Sequence, residues 1–203
     1  MKHLRQFINE KLKINSKTEI NIIKPKDKDE LKTIIFDRIR DVDPDKEVDL
    51  NDIDVSEIKD MSKLFYGTFP CRLDLSEWDV SNVEDMSSMF YGCYNLQCDL
   101  SKWNVSKVKN MRQMFYNCFR FNCDLSNWDV SNVKNMEGMF SNCDIFESDL
   151  SNWDVFNVKD FSYMFKSCKK FNSDLSKWNI RGIIYGMFQN CQSLKYKPNW
   201  YNE

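Results

Sequence analysis

The sequence predicts an α/β solenoid in which six strand–helix coils share a parallel sheet. Two observations predict it. A segment of 25 residues recurs six times at a near-constant period, and within each copy the apolar spacing changes from that of a strand to that of a helix. A fixed period of this length is typical of repeats that bury their apolar faces against one another. Copies one to six begin at Asp49, Asp74, Asp99, Asp124, Asp149 and Asp174, and copy six is two residues short.

Copy four, DLSNWDVSNVKNMEGMFSNCDIFES, shows the pattern most clearly. Trp128 and Val130 flank a polar residue, as the two inward positions of a short strand do. From Val133 the apolar residues follow at i+3, i+6 and i+7, which predicts a helix with Ser131 as its N-cap. Each copy is therefore predicted to be a strand, a tight corner, a short helix and a return loop.

The repeat boundaries divide the chain into three regions. Residues 49–196 hold the six copies. Residues 1–48 are predicted to cap the first coil or to dock the array on a larger assembly, since the end of such an array exposes an apolar edge. Residues 197–203 are predicted to form a C-terminal tail or partial cap, with Trp200 covering the other end of the array.

The N-terminal region is predicted to be a helix, a strand and a second helix. The first helix covers residues 2–13 and the strand covers residues 18–23, from their apolar spacing. Pro25 and Asp27 open the second helix, over residues 28–40. Its inward residues are predicted to be Leu31, Ile34, Ile35 and Ile39.

The motifs D-L-S-x-W-[DN]-V and M-F-x-x-C recur together four times. This unit resembles the repeat of the BspA-like leucine-rich repeat surface proteins, known from mycoplasma surface lipoproteins. The resemblance covers about residues 49–196 and implies a right-handed, leucine-rich-repeat-like solenoid with a binding or surface role. The leader that contains FINEKLKIN is similar to that of short proteins of this family in gut bacteria and their tailed phages. Valine stands where ordinary leucine-rich repeats have asparagine, at Val83, Val108, Val133 and Val158.

Composition argues against several classes of protein. The net charge is −2 and neither half of the chain has the basic excess of a nucleic-acid-binding protein. No apolar run reaches the 18 residues of a membrane-spanning helix, so no membrane span is expected. The N-terminus MKHLRQFINEKLKIN lacks an apolar core, so it is not a secretory signal. A cytoplasmic or virion location is therefore expected rather than secretion by the general route.

Tryptophans and cysteines recur at two fixed positions of the copies and are predicted to lie in the core. An exposed tryptophan row that binds carbohydrate is the alternative for the first set. For the cysteines the alternative is zinc, because Cys93, Cys98, Cys118 and Cys123 have the spacing C-x4-C-x19-C-x4-C. Packing is preferred, and neither a metal nor another cofactor is predicted. The core residues are Trp78, Trp103, Trp128, Trp153, Trp178, Cys93, Cys118, Cys143, Cys168 and Cys191.

Aspartate begins every copy, and Asp or Asn stands five residues later. The aspartates that begin the copies are predicted to accept backbone N–H groups at the turn that enters each strand. Calcium is the alternative, but these turns lack the glycines of calcium-binding repeats. No catalytic residue is predicted, because His3 is the single histidine and no nucleotide-binding or metalloprotease motif occurs.

The outward side of the predicted strands is the candidate partner-binding face. Phe156 and Arg181 stand out there, because they break a column of serines, and Tyr66, Tyr91 and Tyr116 form a second, weaker candidate column. The function expected is a non-catalytic scaffold that binds a protein partner. The alternatives are a structural subunit of a larger assembly, such as a phage virion or cell-surface particle, and an adhesin for carbohydrate or a host surface. The candidate face comprises Glu77, Asp79, Ser81, Lys102, Asn104, Ser106, Asn127, Asp129, Ser131, Asn152, Asp154, Phe156, Lys177 and Arg181.

Overall fold

The computed structural model describes residues 21–43, 46–67, 72–195 and 197–201. The helix predicted over residues 2–13 and the first half of the strand predicted over residues 18–23 lie outside them. Of that strand, residues 21–23 are described, and Ile23 forms a single parallel bridge with Ile53 in copy one.

Helix α1 spans Lys28–Ile39 and confirms the helix predicted over residues 28–40. Asp27 caps it, because its carboxylate accepts the N–H of Glu30 at 2.9 Å. Its fully buried side chains are Leu31, Ile35 and Ile39. The Lys28 ammonium also lies 2.6 Å from an Asp60 carboxylate oxygen in copy one. Helix α1 therefore covers the first end of the array.

Two short strands, β1 over Glu47–Asp49 and β2 over Arg72–Asp74, pair in parallel. They are the only strands, and α1 the only helix, in the part of the chain that the structure describes. The predicted fold, a right-handed leucine-rich-repeat-like solenoid of six strand–helix coils in a parallel sheet with an α/β cap, is wrong. No copy has the expected strand at its tryptophan or the expected helix after it.

Each copy is instead a series of tight turns, because in copies one to five three Asp or Asn side chains accept the backbone N–H two residues ahead. In copy four the acceptors and donors are Asp124 and Ser126, Asp129 and Ser131, and Asn135 and Glu137, at 2.9–3.0 Å. A core N–H then binds the carbonyl three residues back, as Trp128 binds Leu125 at 3.1 Å. The chain therefore turns before a strand or helix can extend.

The segment predicted to be a helix, from Val133 onward, uses its N–H groups to bind the neighbouring copy. Left-handed backbone at Gly138 (φ 61°) and Asn142 (φ 60°) interrupts any helix. Alternate N–H groups donate across to copy five at 2.7–2.9 Å. The donors and acceptors are Met136 and Asp160, Gly138 and Ser162, Phe140 and Met164, and Asn142 and Lys166.

The same four hydrogen bonds recur between every pair of neighbouring copies. They join peptide groups head to tail. The peptide between Asn135 and Met136 accepts from Met111 at 2.9 Å and donates to Asp160 at 2.9 Å. Four chains of peptides therefore run through all six copies in one direction, with carbonyl ends at copy one and N–H ends at copy six.

The core consists of side chains stacked between copies. Phenylalanine rings at one repeat position stack with centroids 5.2–5.8 Å apart, from Phe65 to Phe188.

Outside this core, polar side chains also make hydrogen bonds that recur with the repeat. The amide nitrogens of Asn82, Asn132 and Asn157 each donate to a serine carbonyl of the preceding copy at 2.7–2.9 Å. An asparagine ladder therefore exists one residue before the valine position at which leucine-rich repeats carry it.

Copy six differs because it lacks two residues between Ile180 and Met187. The shortened chain passes so close to copy five that a Cβ at Gly182 would lie 2.6 Å from the carbonyl carbon of Lys159. The next N–H, of Ile183, donates to the Lys159 carbonyl at 2.9 Å. Glycine at this position therefore lets the short copy keep its place beside copy five.

Candidate binding surfaces

The five repeat tryptophans lie in the interior, each 3–4% exposed. Every indole Nε1 donates to the carbonyl of a leucine in the preceding copy, at 2.9–3.1 Å. Their ring faces are covered by the core and not offered to solvent. The indole row therefore gives no stacking platform for a sugar.

The cysteine row is also turned inward. Each Sγ donates to a phenylalanine carbonyl of the preceding copy at 2.6–3.0 Å. Burial raises the pKa of Cys118, Cys143 and Cys168 well above the usual thiol range. Burial also raises the pKa of Cys191 to about 11. These thiols stay protonated at neutral pH, and nucleophilic and metal-binding chemistry both need the thiolate.

A second cysteine position accepts a backbone hydrogen bond. The Sγ of Cys123 accepts the Leu100 N–H at 3.2 Å, and Ser148 Oγ accepts the equivalent Leu125 N–H at 2.9 Å. Burial raises the pKa of Cys123 to about 11. The Cys–Ser exchange at this position preserves an acceptor. Among the described residues, no three His, Cys, Asp or Glu side chains are grouped to hold a metal ion.

The aspartates that begin the copies accept backbone N–H groups at turns, as predicted, and the Asp or Asn five residues later does the same in copies one to five. Hydrogen bonds from the serine two residues ahead hold the pKa of several of these carboxyls below the usual value. This holds for Asp99, Asp124, Asp129, Asp149 and Asp174. These ionised carboxylates are therefore part of the backbone turns and not a free acidic stripe.

The strands on which the candidate face was predicted are not formed in the described residues, and the residues of that face lie on turns instead. Several of them form hydrogen bonds with one another. Asp79, Asn104, Asp129 and Asp154 accept the N–H groups of Ser81, Ser106, Ser131 and Phe156 at 3.0–3.1 Å. The remaining members are Glu77, which is half-buried, and Lys102, Asn127, Asn152 and Lys177, which are exposed. They form a row of solvated side chains, and Lys177 at its end also lines a cleft together with Asp149 and Asp174.

Phe156 and Arg181, which break the serine column, contact each other. The Arg181 guanidinium carbon lies 4.0 Å from the centre of the Phe156 ring, in a cation–π arrangement. Phe156 remains 40% exposed. The pair links copies five and six, so part of the ring that the sequence offers to a partner is already covered.

A different surface, on copies one to three, carries stacked aromatic side chains. Tyr66, Tyr91 and Tyr116 stack with centroids 4.7 and 4.8 Å apart. Tyr94 and Phe119, which the sequence reasoning missed, form a second stack at 5.4 Å and are 55% and 40% exposed. These five residues are called the aromatic surface. The signal for this missed pair was an aromatic residue three positions after the column tyrosine in two successive copies, Tyr94 after Tyr91 and Phe119 after Tyr116.

The two stacks of the aromatic surface adjoin each other at Tyr91. Burial raises the pKa of Tyr91, and the hydroxyls of Tyr116, Tyr66 and Tyr94 raise it further. Tyr116 lies over Gly138, where an added Cβ would come 3.4 Å from the ring. The middle ring of the longer stack, Tyr91, is covered on both faces by Tyr66 and Tyr116.

These features define a repeat protein of stacked, turn-rich copies with an ordered aromatic surface and an inert interior. The chain belongs to the family described as Mycoplasma protein of unknown function, DUF285, whose model matches residues 35–144 and 101–201. No curated protein and no solved structure matches the chain. Within the described residues, no helix has the length and apolar character to cross a membrane.

Proposed function

We propose that this chain is a non-catalytic scaffold that binds a partner protein through its aromatic surface. The observation that carries the proposal is the pair of aromatic stacks on copies one to three, in which Tyr66, Tyr94 and Phe119 are exposed. Contiguous exposed apolar surface is typical of interaction sites, and aromatic residues are enriched in their energetic centres. The finer resemblance to BspA-like surface proteins agrees with a binding role and adds no ligand.

The rigidity of the surface supports binding. Stacking fixes each tyrosine against the next copy, and the backbone under the rings is held by the peptide chains, as at Gly92, whose N–H donates to Tyr116 at 2.7 Å. A preorganised surface loses little side-chain entropy when a partner binds. The aromatic surface is therefore suited to an apolar segment of a partner.

The stacking geometry favours protein over carbohydrate. Sugars recognised by aromatic residues stack on open ring faces, whereas Tyr91 is covered on both faces by Tyr66 and Tyr116, with interplanar angles of 9° and 5°. Ring edges with hydroxyl groups suit the mixed apolar and hydrogen-bonding surface of a polypeptide. These contacts support the scaffold function over the adhesin alternative.

The chemistry of the interior supports a non-catalytic role. The cysteine thiols with raised pKa values make hydrogen bonds to carbonyls and are shielded from solvent. A cysteine nucleophile needs a thiolate and an adjacent base. Copies one to six contain no histidine to serve as that base.

The test compares three immobilised proteins: the wild type, the double variant Tyr94→Ser with Phe119→Ser, and the control Phe156→Ser. Phe156 is as exposed as Phe119 but lies outside the aromatic surface. Proteins captured from the native source are identified by mass spectrometry, and the affinity of each purified candidate is then measured. We expect the double variant to lose about tenfold or more in affinity while the control keeps it.

Equal affinity of one captured protein for all three chains would contradict the proposal. A glycan array run on the same three proteins separates the alternative. Sugar binding that the double variant loses would assign the aromatic surface to an adhesin instead.

A further inference from the structure

Copy six ends the four peptide chains with N–H groups that bind no acceptor among the described residues. In each earlier copy the equivalent N–H donates to the next copy, as Tyr163 donates to Tyr185 at 2.9 Å. In copy six no next copy is described. The four groups are the N–H groups of Ile184, Gly186, Phe188 and Asn190, called here the donor edge.

The donor edge is the positive end of aligned peptide dipoles. Peptide dipoles that point the same way add, as they do along an α-helix, and leave partial positive charge where the N–H groups end. At the opposite end the Lys28 ammonium lies 2.6 Å from Asp60 and 2.9 Å from Ser62 Oγ, where the carbonyl ends of the chains begin. Because Lys28 forms an ion pair with Asp60, the direction of the dipoles follows from the backbone hydrogen bonds alone.

Side chains add positive charge near the donor edge. Residues 174–201 contain four basic residues and a single acidic one, Asp174. Ile184 and Gly186 line a groove together with Lys166 and Tyr163. The Lys166 ammonium lies 5.2 Å from the centre of the Tyr163 ring and pairs with no carboxylate among the residues described. Donors and a cation therefore converge in this groove, and no described carboxylate lines it.

A second copy of this chain does not fit the donor edge. Two donor edges brought together would oppose N–H to N–H. The carbonyl edge at copy one of a second molecule would offer acceptors. Helix α1 of that molecule covers this edge, with Leu31 and Ile35 buried there. The occupant must instead supply its own acceptors and negative charge.

We propose that the donor edge and the Lys166 groove dock an acidic segment of a partner polypeptide. Its carboxylates and carbonyl oxygens accept the N–H groups of Ile184 and Gly186, and a carboxylate pairs with Lys166. This inference rests on the proposed function in one respect only, namely that the partner is a polypeptide. It uses a surface at the other end of the array from Tyr66.

The test titrates the full-length, ¹⁵N-labelled protein with a hexaglutamate peptide blocked at both ends, at low ionic strength. The expected result is a shift of the amide resonances of Ile184, Gly186, Phe188 and Asn190, with smaller shifts elsewhere. Hexaglutamine at the same concentration should leave them in place. The variant Lys166→Gln should weaken binding about tenfold. The control Lys134→Gln, in copy four, should leave it unchanged.

Three outcomes would overturn the proposal: shifts centred away from copy six, equal affinity of Lys166→Gln and wild type, or equal shifts with free glutamate at matched carboxylate concentration. The last would indicate a simple anion site. The Tyr94→Ser and Phe119→Ser double variant should bind hexaglutamate normally, so failure of the donor edge and failure of the aromatic surface are distinguished.

Discussion

The indole Nε1 of Trp200 donates to the carbonyl oxygen of Leu175 at 3.1 Å. Each repeat tryptophan makes this bond to a leucine of the preceding copy, as Trp128 does to Leu100 at 3.0 Å. The C-terminal tail therefore supplies to copy six the contact that a further copy would have supplied. It also packs Trp200 and Tyr201 against Phe188, with ring centroids 6.3 and 4.9 Å apart.

Replacing Trp128 by Phe should lower the free energy of unfolding by about 1–3 kcal/mol, from one lost hydrogen bond and the volume of the second ring. The Leu100 carbonyl keeps the backbone N–H of Trp103 at 3.1 Å, so it is not left without a partner. Trp200→Phe is the matched control, and its cost should be smaller because Trp200 is half-buried. Urea unfolding of both variants measures the difference. No measurable loss from Trp200→Phe would contradict the end-cap assignment of Trp200.

Cys123→Ser should change stability little, whereas Cys123→Ala should destabilise by about 1–3 kcal/mol. Alanine leaves the buried Leu100 N–H without its acceptor, and serine supplies the oxygen that Ser148 uses in the next copy. Denaturant unfolding under reducing conditions compares the two. If serine and alanine cost the same, the acceptor role of this position is wrong.

Stability should fall in acid through the turn aspartates. Hydrogen bonds hold the folded pKa of Asp99, Asp124 and Asp129 below the usual value. The stabilisation is therefore complete above the unfolded pKa of about 3.9 and is lost as pH falls through the folded pKa. Asparagine makes the same turn without a titrating group, as Asn104 does with Ser106 at 3.1 Å.

The triple variant with asparagine at residues 99, 124 and 129 should then lose less stability than the wild type between pH 6 and pH 3. Urea midpoints at both pH values provide the measurement. An undiminished acid loss in the variant would show that other groups cause it.

Gly182→Ala should destabilise copy six by about 1–3 kcal/mol, because the new Cβ would overlap the Lys159 backbone. Gly67→Ala is a useful comparison, since a Cβ there meets no atom within 4 Å and the cost comes from its left-handed φ of 79° alone. Limited proteolysis with mass spectrometry should place the first cleavages of the Gly182 variant in copy six. Cleavages confined to other copies would argue against a close crossing at this residue.

The period, the core positions and helix α1 could be predicted from the sequence, because they depend on spacing and on local caps such as Asp27. The strand and helix within each copy could not. Turns that close every three residues place Met136, Met139 and Phe140 inward with nearly the spacing of a helix. A helix and a series of turns differ in which acceptor each N–H group binds, and that acceptor lies in the neighbouring copy. The local sequence signal for turns was the set of side-chain acceptors Asp124, Asp129 and Asn135.

The aromatic surface could be predicted in part. The tyrosine column was visible, but Tyr94 and Phe119 occur in two copies and give way to Asp144 in the next, so no column marked them. The donor edge could not be predicted at all. It exists because four peptide chains share one direction, which the sequence does not display.

Amide hydrogen exchange, resolved by residue, tests the central claim that peptides join head to tail through the copies. The N–H groups of Phe115 and Phe140 donate to the next copy at 2.9 Å, and the equivalent Phe188 ends the chain. We expect strong protection of the donating N–H groups in the central copies and weaker protection of the four at the donor edge. Equal protection of Phe140 and Phe188, or fast exchange at Phe115 and Phe140, would contradict it.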